Sequence, residues 1–169
     1  QQSEIIGQKM LDFSDIGTTW NDLQTLNYGN VMQRMWAYPD GTVGSIWLSA
    51  GQENVPERGA GYNYYDGSAW GDPNPHVGPE DRMGSPAYAA WGPEGEIIAL
   101  YRYIAGEGPI FFYKREVKGE GEWEEVELPP PTGVSIGVGA HLVRDQGCHR
   151  ALSRTRSASA GAIGRVQAL

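Results

Sequence analysis

Three tyrosines in the stretch GYNYYDGSAW (residues 61–70) offer the plainest chemistry in this chain, because flat phenol rings pair with sugar faces and their hydroxyls add polar contacts. In a strand, alternation puts Tyr62 and Tyr64 on one face and Asn63 and Tyr65 on the other, so these rings serve either a ligand or a core. Just upstream, Glu57 and Arg58 are neighbours in a breaker-rich loop, where they are a solvated pair or part of a polar site. Other constellations fail on inventory. His76, His141 and His149 are scattered, with no His-x-x-x-His spacing and no paired cysteines, so neither a metal nor another cofactor is expected. Cys148 is the sole cysteine, which excludes an intramolecular disulfide. GVSIGVGAHL lacks the Lys-Ser/Thr end of a phosphate loop, and Ser3, Ser45 and Ser85 lie in no Gly-x-Ser-x-Gly elbow.

The elements that must position these residues follow from composition. A chain of 169 residues that is 40% hydrophobic and 11% aromatic can build one domain with a core. Its 24 Gly and 11 Pro, with aromatics prominent over Leu, favour a turn-rich all-β protein over a helix bundle. The net charge of −8 is uneven: residues 1–143 hold 8 Lys and Arg against 20 Asp and Glu, whereas residues 144–169 hold five Arg and one Asp. An acidic body repels phosphate backbones, so no nucleic-acid partner is expected. No apolar run approaches the roughly 18 residues of a membrane span, so no membrane insertion is expected. The Gln1-Gln2-Ser3 start reads as a mature chain after signal removal, a cropped piece or an arbitrary boundary.

The chain repeats itself. YPDGTVGSIW (38–47) and GPEGEIIALY (92–101) align at an offset of 54, with Asp40 over Glu94 and Gly41 over Gly95. Each reads as a tight turn followed by a strand: Pro presets φ, the acidic residue bonds its local backbone, and Gly41 or Gly95 takes positive φ. A second series, Trp20, Trp70 and Trp123, closes the polar turns SDIGTTW, YDGSAW and KGEGEW, with Asp15-Gly17 and Asp66-Gly67 as turn residues. Strand, acidic turn, strand, loop, aromatic strand, glycine turn and Trp-led strand make a four-stranded antiparallel meander. Such a unit every fifty residues or so is the mark of a propeller blade, which must stack on its neighbours. The expected architecture is therefore all-β, a partial β-propeller of about three four-stranded blades over residues 1–143. A β-sandwich is the alternative.

Three linkers punctuate it: residues 49–61, residues 71–86, and LPPPTG (128–133) as a crossover between blades. From residue 144 to 169 no aromatic and no acidic turn recurs, so this stretch is expected to be an irregular basic tail, disordered, marginally helical or foreign to the natural protein.

The turns also carry a resemblance. FSDIGTTW keeps Asp15, Gly17, Thr19 and Trp20 in the register of the Asp-box, although Phe13 stands where a hydroxyl residue belongs; YDGSAW keeps Asp66, Gly67 and Trp70; KGEGEW keeps Gly121 and Trp123. Residues 4–143, most strongly up to residue 103 and including the continuous segment 17–71, resemble secreted bacterial sialidase-like (BNR/Asp-box) propeller proteins that often end in a type IX secretion sorting domain. The resemblance implies a secreted or cell-surface bacterial protein. A sialidase-like site would need arginines for the substrate carboxylate, an acid for the leaving group and a Tyr-Glu nucleophile pair. Arg34 stands at the family's arginine position, with Met35 and Trp36 replacing Ile and Pro; Glu57 is the candidate acid, and Arg58 or Arg82 would complete the anion clamp. Against these roles, Arg34 also reads as a strand-bridging arginine. The expectation is a non-catalytic binding or scaffold module for a glycan or surface protein, with self-association through an uncovered blade as a further route. Its alternatives are a fragment of a sialidase-like hydrolase and a purely structural repeat.

Overall fold

The computed structural model describes residues 13–21, 33–54, 56–102 and 109–128, together with the backbone of 137–145 and 148–155. All regular structure among them is β: β1 (Met35–Ala37), β2 (Val43–Ser49), β3 (Gly59–Tyr65), β4 (Asn74–Val77), β5 (Met83–Trp91), β6 (Gly95–Arg102), β7 (Ile110–Arg115), β8 (Glu124–Leu128), β9 (Gly137–Asp145) and β10 (Cys148–Thr155). They form two four-stranded antiparallel sheets, β1-β2-β3-β4 and β5-β6-β7-β8, and a separate β9-β10 hairpin. Each sheet is thus a meander whose spatial order is its chain order.

Turn chemistry sets the first hairpin. Asp40 Oδ1 accepts from Thr42 N (3.1 Å) and Thr42 Oγ1 (2.7 Å), while Gly41 sits at φ 87°, a conformation that a Cβ disfavours. In YDGSAW, Asp66 Oδ1 accepts from Ser68 N, Ser68 Oγ and Ala69 N at 2.7–2.8 Å, with Gly67 at φ 100°. The β5-β6 turn differs from expectation. Gly92 takes the positive φ, at 60°, and Gly95 is required for another reason: a Cβ there would run into the Arg115 and Trp91 carbonyls.

Alternation then sorts the faces. Ile46, Ala60, Tyr62 and Val77 of the first sheet meet Tyr88, Ile98, Leu100, Phe111 and Tyr113 of the second in one core. The opposite face of the second sheet, Ala87, Ala89, Ile97, Ala99, Ile110 and Phe112, forms another, and β9 lies beside β5 and β6. The far face of the first sheet is crossed by residues 13–21. Thr19 Oγ1 donates to Leu48 O and accepts from Ala50 N, both at 3.0 Å, and Asn63 Nδ2 donates to Ile16 O at 2.8 Å. The layers are stacked, and the sheets do not close into a ring.

Several expectations need correction. Residues 13–19 carry no regular secondary structure, and Gly17 is not at positive φ; its glycine is demanded by the Trp47 indole, which a Cβ would strike. Asp15-Gly17 is therefore not a hairpin turn, and Trp20, 63% exposed, closes none. Residues 71–86 are not all linker, because β4 and the start of β5 lie inside them. The boundary drawn at 143/144 falls within β9, and β10 lies beyond it: backbone pairing from Cys148↔Asp145 to Thr155↔Gly137 continues where aromatic content stops. The crossover at 129–133 and residues 156–169 lie outside the described residues.

Candidate functional site

The densest chemistry lies between the two sheets and centres on Glu96, near the start of β6. Alternation puts Glu96 on the same face as Ile98 and Leu100, so its carboxylate points into the intersheet core, and it is 0% exposed. A buried charge there is tolerated only if it is paired and hydrogen-bonded. Arg115, its register partner on β7, donates from Nε to Glu96 Oε1 at 2.5 Å, and Gly119 N donates to the same oxygen at 3.0 Å. From the first sheet, the Tyr62 hydroxyl lies 2.8 and 3.0 Å from Oε1 and Oε2. The Tyr88 hydroxyl donates to Oε2 and meets the Tyr38 hydroxyl at 2.9 Å.

Arg115 is held through Nε, Nη1 and its flat face, while its buried Nη2 has no hydrogen-bond partner. Its Nη1 donates to Gly121 O at 3.0 Å, and its guanidinium carbon lies 4.3 Å from the Trp123 ring centre and 4.8 Å from that of Tyr62. The Tyr62 and Trp123 rings meet edge to face at 5.3 Å. Burial, reinforced by the Glu96 charge, pushes the Tyr62 and Tyr88 phenols up from their ordinary range, so both stay protonated as donors to the carboxylate. Burial likewise pushes Tyr38 up.

At the edge of this seam a second contact joins the repeats. Lys118 Nζ lies 3.0 Å from Asp40 Oδ2 and 3.1 Å from Glu94 Oε2, the equivalent acidic residues of the two repeated turns. Hydrogen bonds from Thr42, then from Lys118, hold the Asp40 carboxyl down to about 2.

The residues singled out in the sequence show contacts with different partners. Arg34 is half-buried where β1 begins, its carbonyl accepting from Ile46 N at 2.8 Å, and burial lowers its pKa. Arg58 turns toward the second sheet, donating to Met83 O and to the Tyr101 hydroxyl, both at 3.1 Å. Glu57 accepts from Gly51 N at 3.1 Å, and Arg82 is exposed. Of the tyrosines, Tyr62 is buried in the seam, and Tyr64 lies on the same face over Gly119. Tyr65 pairs with Trp70 at 5.6 Å, so Trp70 closes its own hairpin, whereas Trp123 does lie between sheets. Of the two roles open to Tyr62 and Tyr64, ligand platform or core, both take the core one, since the neighbouring sheet takes up their faces.

Glu96, Arg115 and Tyr88 were missed. The signal was a carboxylate in phase with Ile98 and Leu100 on an otherwise apolar strand, GEIIALY, which demands a buried partner. Among the described residues no three His, Cys, Asp or Glu side chains gather as a metal group, and no helix is long and apolar enough to cross a membrane. Compared with family models, curated proteins and solved structures, the chain matches none.

Chemically, a carboxylate, a guanidinium and phenols in contact have the makings of a glycosidase nucleophile. Here every oxygen of Glu96 is taken by the protein, and a carboxylate with no exposed surface has no substrate to meet. The arrangement fastens one sheet to the next.

Proposed function

We propose that this chain is a non-catalytic binding or scaffold module, part of a β-propeller of the sialidase-like Asp-box kind, displayed outside a bacterial cell and taking a glycan or a surface protein. The observation that carries the non-catalytic reading is the complete burial of Glu96 against Arg115, Tyr62 and Tyr88, which commits the best acid and base groups to holding the sheets together. Propeller geometry is supported by two chain-order meanders packed face to face, with first strands brought together where Tyr88 N donates to Gln33 O at 2.9 Å. Arg58, bound to Met83 and Tyr101, is a poor member of an anion clamp. A purely structural repeat would share the same core but gives no role to the exposed Trp20.

The test is incubation with a fluorogenic sialoside, followed by a screen of glycans and cell-surface proteins for binding. Release at the protein-free rate is expected. Faster release, lost in Arg34→Ala or Glu57→Gln, would establish the hydrolase reading instead.

A further inference from the structure

An open groove of ≈ 400 Å³ lies at the margin of the first sheet, between residues 18–20, Ser49–Gly51 and Pro75. Its one large apolar side chain is Trp20, 63% exposed, whereas Trp70 and Trp123, the other members of that series, are half-buried. The backbone that carries Trp20 is pinned. Trp20 N donates to Ala50 O at 2.9 Å, Thr19 Oγ1 bridges Leu48 O and Ala50 N, and Trp47 Nε1 donates to Thr18 O at 3.3 Å. The indole therefore stands on a fixed backbone, so a ligand stacking there meets a platform already in place.

The chemistry of the lining narrows the ligand. Thr18 and Gly51 are exposed in the lining with Trp20, Thr18 bringing a hydroxyl, and no charged side chain lines the groove among the described residues. Glu57 accepts from Gly51 N at 3.1 Å, which ties a carboxylate to a residue of the lining. A flat exposed indole flanked by small neutral polar groups suits the apolar face and hydroxyl rim of a pyranose, and a neighbouring carboxylate repels an acidic one. Resting on the binding-module reading above, we propose that the Trp20 groove is a subsite for a neutral hexopyranose unit of a glycan, distinct from any anion clamp built on Arg34, Arg58 or Arg82.

Titration of the whole chain with lactose, cellobiose and maltose, and with sialyllactose, followed by tryptophan fluorescence and calorimetry, tests this. At least one neutral disaccharide is expected to bind, and sialyllactose less tightly than lactose. Trp20→Ala should weaken binding about tenfold or more and Trp20→Phe less, as for other aromatic anchors. Trp70→Ala should leave binding unchanged, and far-ultraviolet circular dichroism should show Trp20→Ala folded. Neutral-sugar binding that survives Trp20→Ala would overturn the subsite while leaving the binding module intact. No neutral sugar bound would also overturn the subsite, and sialoside hydrolysis would overturn the reading beneath it.

Discussion

Between the sheets, Tyr62, Tyr88 and Trp123 close over Glu96 and Arg115, and each polar group of the carboxylate finds a protein partner. At the margin of the first sheet, Trp20 stands in solvent beside Thr18 and Gly51, with only its backbone secured. Both regions combine aromatic rings with polar atoms. They differ in what covers the rings: in the seam the polar atoms meet one another and the rings seal a charge from water, whereas at the groove the neighbouring polar atoms also bond within the protein but the Trp20 ring stays in solvent. Residue type alone does not separate a fastening from a binding platform, whereas exposure of the ring does.

Removing one half of the buried pair should break this contrast most severely. Arg115→Met takes the cation from Glu96, which stays sealed in the core, and should cost about 3–5 kcal/mol in urea or thermal unfolding. Next, Tyr88→Phe takes a hydroxyl from the carboxylate and should cost about 1.5–3 kcal/mol, with no change in sugar binding. Gly44→Ala probes the same seam through shape, because a Cβ at that position would strike the Tyr88 hydroxyl; overpacking of this kind should cost about 1–3 kcal/mol. Smallest of all, Trp20→Ala should move stability by no more than about 0.5 kcal/mol, as expected for an exposed side chain. A large loss there would make Trp20 a structural residue after all.

Proton linkage sharpens the same comparison. Tyr62 and Tyr88 have folded pKa values raised above the unfolded value of about 10, so their contribution is fully present below that pH and is lost as pH rises beyond it. Unfolding free energy should therefore hold steady up to about pH 10 and then fall, and Tyr88→Phe should flatten the decline. Asp40, held down to about 2 from 3.8, runs the other way: its contribution is present above its unfolded pKa and fades as pH falls toward the folded value.

Much of the frame was readable in advance, because short-range chemistry dictates it. Pro39-Asp40-Gly41 and Asp66-Gly67 encode their turns locally, and alternation along GYNYY correctly paired Tyr62 with Tyr64 on one face. What the sequence withheld depends on distant partners. Glu96 meets Tyr62 across 34 positions and Tyr88 across 8, while Arg58 meets Tyr101 across 43. No local spacing carries such contacts. Trp20 was misplaced for the same reason: its series suggested a residue closing a polar turn, but residues 13–19 bond across the first sheet through Thr19 and Ile16 and leave the ring outside. The strand beyond residue 144 escaped because it lacks the aromatic signature of β3 and β7 and is defined by backbone pairing with β9.

The central claim is that Glu96 joins the sheets, and a double-mutant cycle across the seam measures it directly. Tyr62→Phe, Glu96→Gln and the double variant should show a coupling of about 0.5–3 kcal/mol in unfolding free energy, as for residues sharing one buried network. Strictly additive losses would contradict the account, leaving Glu96 buried for a reason other than the contact it makes with Tyr62.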